Sequence, residues 1–305
     1  MIIDVHSHLG DVLNPNGGEL IFRKGARKPP VVDLITAAEW RQYKTNPVSE
    51  WVLKVLCEDQ ITKAIRARTV TGNLDNFRKS LDESGVVKAA CMPIAPYVTF
   101  ADLKKAAAAD KSIIPFTSVD LSINQDPEPL LRQDVADGAR GLKLHPIIQK
   151  EPLHGRKMFQ VVEAFAPYKL PVLFHSGVQS YYLGREKLER QRPEYGNPKD
   201  AVKLCTEFPT VSFIAGHAGL FQYRDTIEVL GRLKNVYVDT SFMEPKNIRK
   251  LVKAFGPERV MYASDWPCGN RQPNVESVAE ACKGDKSLER LIYYENAARL
   301  LGIST

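Results

Sequence analysis

Residues 2–8 read IIDVHSH, a β-branched apolar run that ends in two histidines one residue apart. A short apolar run of this kind, bounded by polar residues, reads as a buried strand. Seven more follow along the chain: VVKAACM (86–92), IIPFTSV (113–119), GLKLH (141–145), PVLFH (171–175), VSFIAG (211–216), VYVDT (236–240) and VMYAS (260–264). Amphipathic spacing between them predicts helices over 74–84, 99–109, 127–137, 156–168, 198–207, 221–233 and 245–255, with a last pair near 274–282 and 286–301. Eight such units, counting IIDVH (2–6), predict an α/β chain closed as a (β/α)8 TIM barrel, a single domain over 1–305. An open sheet binding a dinucleotide would carry a glycine-rich phosphate turn after an early strand, and no G-x-G-x-x-G occurs.

A barrel takes about 250 residues, and the surplus here is a long insertion after strand 1, residues 9–73. Its first part, DVLNPNGGELIFRKGARKPP (11–30), reads as loop, while 34–41 and 50–68 carry helical spacing. The insertion leaves from a strand's C-terminal end, the face on which barrel active sites sit, so it is expected to form a lid-like segment. A peripheral decoration or a homodimer contact is the alternative. A second long loop, 179–197, opens on the same face.

Composition narrows the class. The five cysteines, Cys57, Cys91, Cys205, Cys268 and Cys282, are scattered and form no C-x-x-C pair, which argues against a disulfide framework or a zinc ribbon. The N-terminus opens directly on a strand-like run, and no eighteen consecutive residues are apolar, so a cytoplasmic protein without a membrane partner is expected. A net charge of +6 is spread along the chain except for Arg23, Lys24, Arg27 and Lys28, too short a stripe for nucleic acid. That cluster reads as a solvated loop, or as a means of drawing in an anionic substrate.

Five of the six histidines, His6, His8, His145, His175 and His217, stand at or just past predicted strand ends. In a barrel those ends converge on one pocket. Side chains alternate along a strand, so His6 and His8 point the same way and can take adjacent positions around a divalent metal. His175 and Asp265 end the fifth and eighth strands.

The motifs DVHSH (4–8), VLFHSG (172–177), AGHAG (215–219) and YASDWP (262–267), with the closing YYENAARLL (293–301), resemble the amidohydrolase superfamily. The resemblance is to its amidohydrolase-related branch, which includes aminocarboxymuconate semialdehyde decarboxylase-like enzymes. It implies that His6, His8, His175 and Asp265 hold one metal, commonly Zn²⁺ with Mn²⁺ as an alternative, and that Asp265 also takes a proton from the attacking water. A loop cap is the other reading of Asp265. By the same resemblance His217 polarises the substrate or transfers a proton; a second metal ligand is its alternative.

Lys143 shares a face with His145. In some members a carboxylated lysine on the fourth strand bridges two metals, but Lys143 lies deeper than His145. One metal is therefore the working reading, with Lys143 as a cation that binds substrate or pairs with Asp4 or another buried acid. Lys143, His145 and Arg185 are the candidate substrate-binding residues, Arg185 by bidentate pairing with a carboxylate. Tyr181 and Tyr182, in the same loop as Arg185, are further candidates for contact with substrate, Trp40, Trp51 and Trp266 are expected in packing, and His154 on the surface.

The reaction expected is metal-dependent hydrolysis of an amide, ester, lactone or C–C bond in a small, carboxylate-bearing molecule. Non-oxidative decarboxylation is the alternative. A barrel that only binds would lack ligands, yet every expected position is filled.

Overall fold

A computed structural model describes residues 1–303. Its eight strands are β1 (Ile3–Ser7), β2 (Lys88–Cys91), β3 (Ile113–Pro115), β4 (Leu142–Leu144), β5 (Val172–His175), β6 (Phe213–Gly216), β7 (Val236–Asp239) and β8 (Val260–Met261). All pairings are parallel, in the orders β1-β2-β3 and β4-β5-β6-β7-β8. Isolated bridges Thr117↔Leu142 and Ser7↔Trp266 join the two runs and close the barrel. The ladder bonds are continuous there: Lys143 N donates to Thr117 O at 2.8 Å and Val5 N to Tyr262 O at 3.1 Å.

Alternation sorts each strand into two faces. Ile3, Val5, Ala90, Met92, Phe116, Leu173, Ile214 and Met261 fill the interior, where Ala297, Ala298 and Leu301 of the C-terminal helix join them and plug the end opposite the site. Val172, Phe174, Phe213, Val236 and Val238 face outward to the surrounding helices. Those helices pack by stripes, as in Pro245–Phe255, which buries Ile248, Leu251 and Phe255.

Strand β1 breaks the alternation once. Asp4 pairs with Ala89 and Ser7 with Cys91, so three steps on β1 match two on β2. The extra residue is a β-bulge. Before it, Ile3 and Val5 point inward and Asp4 outward; after it, His6 and His8 point to the mouth and Ser7 outward. Asp4 therefore does not meet Lys143, as uninterrupted alternation suggested. Instead Arg271, 1% exposed, clamps β1 from outside, donating Nε to Asp4 Oδ2 at 3.1 Å and Nη2 to Ser7 Oγ at 3.0 Å.

The insertion folds as a 3₁₀ turn, Gly17–Phe22, and three helices, Leu34–Trp40, Pro47–Val55 and Glu58–Thr69. The single helical stretch read at 50–68 is broken at Leu56 and Cys57. Arg68 binds the segment to the barrel: its guanidinium meets Asp33, both carboxylate oxygens of Glu39, Thr36 Oγ1 and the carbonyl of Cys268. Glu58 receives Ser180 and Lys187, and Arg66 pairs with Glu186 at 2.7 Å, so the helix 58–69 is bolted to the loop after β5. Trp266 is buried as expected, whereas Trp40 and Trp51 of the insertion are exposed. Among the described residues no helix is long and apolar enough to cross a membrane.

Candidate active site

The strand ends bring His6, His8, His145, His175, His217, Lys143 and Asp265 together, all buried. Hydrogen bonds fix the imidazoles. Nδ1 of His6 donates to Asp239 Oδ2 at 2.9 Å, because a carboxylate can only accept, and Nδ1 of His8 donates to the Met92 carbonyl at 2.8 Å. Ser241 Oγ donates to Asp239 Oδ1 at 2.6 Å and so accepts from Nδ1 of His217 at 2.8 Å. Each of these three rings is left with an unprotonated Nε2, the lone pair a metal requires.

Donor atoms of His6, His217 and Asp265 lie within 4.8 Å of one another. Asp265 Oδ1 is 3.5 Å from His6 Nε2 and 3.3 Å from His8 Nε2. His175 stands beside this group, stacked on His145 at 4.4 Å. Its Nε2 donates to the Gly177 carbonyl at 2.8 Å and its Nδ1 faces the Tyr181 hydroxyl at 3.3 Å. Of the four ligands implied by resemblance, His6 and His8 thus each approach Asp265, but the donors that close on one another are those of His6, Asp265 and His217, and not His175.

Lys143 does reach the site. Its Nζ lies 2.8 Å from His6 Nε2, since a four-carbon stem spans the depth that its strand position suggested would isolate it. Arg185 does not reach it. The side chain is 90% exposed and pairs with Glu189 one turn along its own helix at 2.7 Å, so its role as a carboxylate binder is corrected: the loop after β5 turns helical there and points it to solvent. Tyr182 is likewise occupied, donating to the Leu13 carbonyl at 2.7 Å, and His154 is at the surface near Asp200.

Burial dominates the electrostatics. It pushes His6, His145 and His217 well below the ordinary imidazole range and His175 to about 3, with Lys143 adding to the effect. Burial also brings Lys143 down to about 8, opposed by Asp265 and Asp239, and raises Asp265, opposed by His8 and Lys143. His6, His145, His175 and His217 are thus held neutral at pH 7, as a metal-ligating imidazole must be.

Two of these residues are held in strained backbone. His217 and Asp265 have φ of 58° and 57°, a left-handed conformation that costs a non-glycine residue about 1–3 kcal/mol. Their amides are tied down, His217 N to Asp239 Oδ1 at 2.9 Å and Asp265 N to the His6 carbonyl at 2.8 Å. Gly216 makes room for the cluster, because a Cβ there would stand 3.1 Å from His6 Cε1.

Imidazole nitrogens and a carboxylate with fixed tautomers suit a divalent first-row ion. The inner chamber they line measures about 10 Å³, room for one water-sized body. Asp239 and Ser241, which orient His6 and His217, were not singled out in the sequence; the DTS following the apolar run VYV was the available signal. Outside the inner chamber lies a cavity of about 150 Å³ walled by Leu34, Ile65, Leu220, Phe242 and Met243, with Tyr181 at the joint of the two. The insertion supplies much of that wall.

The family model described as amidohydrolase matches residues 58–303, beginning at the last helix of the insertion and leaving out β1. No curated protein matches the sequence. Solved structures do match over nearly the whole chain. An uncharacterized TIM-barrel protein from Bordetella bronchiseptica superposes with a TM-score of 0.66 at 16% identity, covering 99% of this chain and 98% of that one. A 5-carboxyvanillate decarboxylase from Novosphingobium aromaticivorans, complexed with manganese and 4-hydroxy-3-methoxy-5-nitrobenzoic acid, gives 0.65 at 15%, covering 99% and 96%. A probable 2-pyrone-4,6-dicarboxylic acid hydrolase from Acinetobacter baumannii, with citric acid bound, gives 0.58 at 13%, covering 99% of each. At these identities the likeness establishes the barrel fold.

Proposed function

The chain belongs to the amidohydrolase family, and on that premise we propose that it is a divalent-metal-dependent hydrolase of a small molecule. The observation that carries this reading is the buried meeting of His6, His217 and Asp265 donor atoms within 4.8 Å, with His8 on the flank of Asp265. His6, His8 and Asp265 would hold the ion, completed by His217 or His175. We take Zn²⁺ as the resident ion and Mn²⁺ as the alternative. Once bound, a divalent ion supplies Lewis acidity that polarises a carbonyl and lowers the pKa of water.

The chain's own groups supply the proton handling. Asp265, its pKa raised by burial, is suited to accept a proton from attacking water and return it to the leaving group. The role left to His217, if His175 completes the ligand set, is to hold the reacting oxygen. Lys143 and His145 line the inner chamber where one carboxylate or carbonyl of the substrate would be bound. The five cysteines, none of them paired, suit a reducing compartment such as the cytoplasm.

A second reading, non-oxidative decarboxylation, draws support from Lys143, a buried cation 2.8 Å from His6 where the carboxylate to be lost as CO₂ would be held, the carbanion left behind taking a proton from a site acid. Metal content separates the catalytic barrel from a binding one. Purified protein is expected to hold about one equivalent of metal, lost in His6→Ala and Asp265→Ala. Metal content that is substoichiometric and unchanged in both variants would sink the proposal. Lys143→Ala should keep the metal; loss of half of a two-equivalent content would instead establish a bridged pair with carboxylated Lys143. Product analysis for CO₂ against hydrolysis products then separates the two reactions.

A further inference from the structure

The walls of the outer cavity bear on the substrate, on the reading that the mouth is a catalytic centre. Ion pairing inside the site is confined to its floor. Among the described residues, Lys143 is the one cation of the inner chamber, and no lysine or arginine lines the outer cavity. The charged groups that do line it, away from Asp265, are Glu50 and Glu244. Glu244 is the more buried, its side chain 4% exposed. Each glutamate is matched by a rim lysine: Lys246 lies 2.8 Å from Glu244 and Lys54 3.2 Å from Glu50. Those lysines are about half exposed and already neutralised, so they offer no free positive charge to a ligand in the cavity.

The remaining wall is mostly aliphatic and aromatic, its polar members being neutral side chains such as Thr45, Gln179 and Asn247, and the volume of about 150 Å³ is that of a cavity which holds one benzene ring. An anion placed there would exchange its hydration for neutral donors such as Asn247, would gain no charged partner among the described residues, and would face Glu244. A neutral or cationic substituent meets no such obstacle, and Glu244 can accept a hydrogen bond from it.

We infer that the substrate has one polar reacting end, bound at the floor beside Lys143, a body the size of a single ring, and a far substituent that is neutral or a hydrogen-bond donor and never a second carboxylate. Selection between mono- and dianionic compounds is assigned to Glu244.

The test is calorimetric titration of the full chain, manganese-loaded and metal-free, with 4-propylbenzoate, 4-(aminomethyl)benzoate and terephthalate, which share one end and differ at the other. Terephthalate is expected to bind at least tenfold more weakly than either of the others. Glu244→Gln, checked for folding by thermal unfolding, should narrow the gap between the aminomethyl compound and terephthalate about fivefold. Terephthalate binding as tightly as the others, binding by none of the three, or a gap unchanged in Glu244→Gln would each overturn the inference. Metal content, measured on the same samples, keeps the two readings apart: the expected order in a protein that retains no metal upholds the cavity's selectivity while the metal-dependent reaction falls.

Discussion

At the barrel mouth His6, His8 and His217 are each fixed by a bond reaching across from a neighbouring strand or loop, from Asp239, Met92 and Ser241. The insertion that walls the outer cavity is held by side chains instead, with Arg68 gathering Asp33, Glu39 and the Cys268 carbonyl into one strut. The first arrangement is part of the fold itself and cannot loosen without opening the barrel. The second depends on a few buried charges and can be cut by one substitution. Reactive centre and substrate wall are therefore separable: the floor dictates which atoms react, and the cover dictates which molecule arrives.

The largest effect that tests this separation is expected in Arg68→Ala. It leaves the buried Glu39 without a cation, while Asp33 keeps Lys28 at 2.7 Å, at a cost of about 3–5 kcal/mol in chemical denaturation, and metal content stays unchanged. Loss of metal in that variant would show that cover and floor are one unit. Next comes Asp239→Asn, which removes the carboxylate that orients both His6 and His217. A metal affinity about 10–100-fold weaker is expected from competition titration, with the cavity's binding order for ring compounds unaltered.

The pH dependence of the metal-free protein is smaller and equally specific. His6, His145, His175 and His217 are neutral in the fold, with folded pKa values below the unfolded 6.5, His175 at about 3. Below pH 6.5 the unfolded chain binds more protons than the native one, so stability falls as pH falls toward the folded values. Each imidazole contributes about 1.4 kcal/mol per pH unit across that window. Denaturant midpoints measured from pH 7 to 4 should drop, less so in His145→Gln; a flat profile would contradict the burial of these rings. The smallest effect is expected in Arg185→Ala, whose exposed pair with Glu189 is worth less than about 0.5 kcal/mol and whose loss should leave ligand binding unchanged.

The barrel and the convergence of five histidines were legible because both arise from repetition: apolar runs at regular spacing, and polar residues at the same place in each unit. What escaped depended on the third dimension. Arg68 and Arg271 look like ordinary surface charges in the sequence, and only the fold reveals them as buried clamps. Arg185 was misplaced because proximity along a loop does not say which way a helical turn faces. Lys143 was judged by the depth of its Cα, whereas its reach is set by its side chain. Asp239 closes an apolar run much as any strand-terminating aspartate would, and the histidines it orients, His6 through its ring and His217 through its amide and Ser241, come from other strands.

The bulge in β1 gives length a meaning that residue identity does not have. One additional residue between Asp4 and Ser7 puts the Arg271 clamp on one side of the strand and both histidines on the other. A single-residue deletion there would leave every functional side chain in the chain and still dismantle the centre, because either the imidazoles or the clamped pair would be turned to the wrong side. For anyone grafting or recombining this barrel, the segment from Ile3 to His8 therefore travels as one block, and a splice within it carries more risk than a change of several residues beyond it.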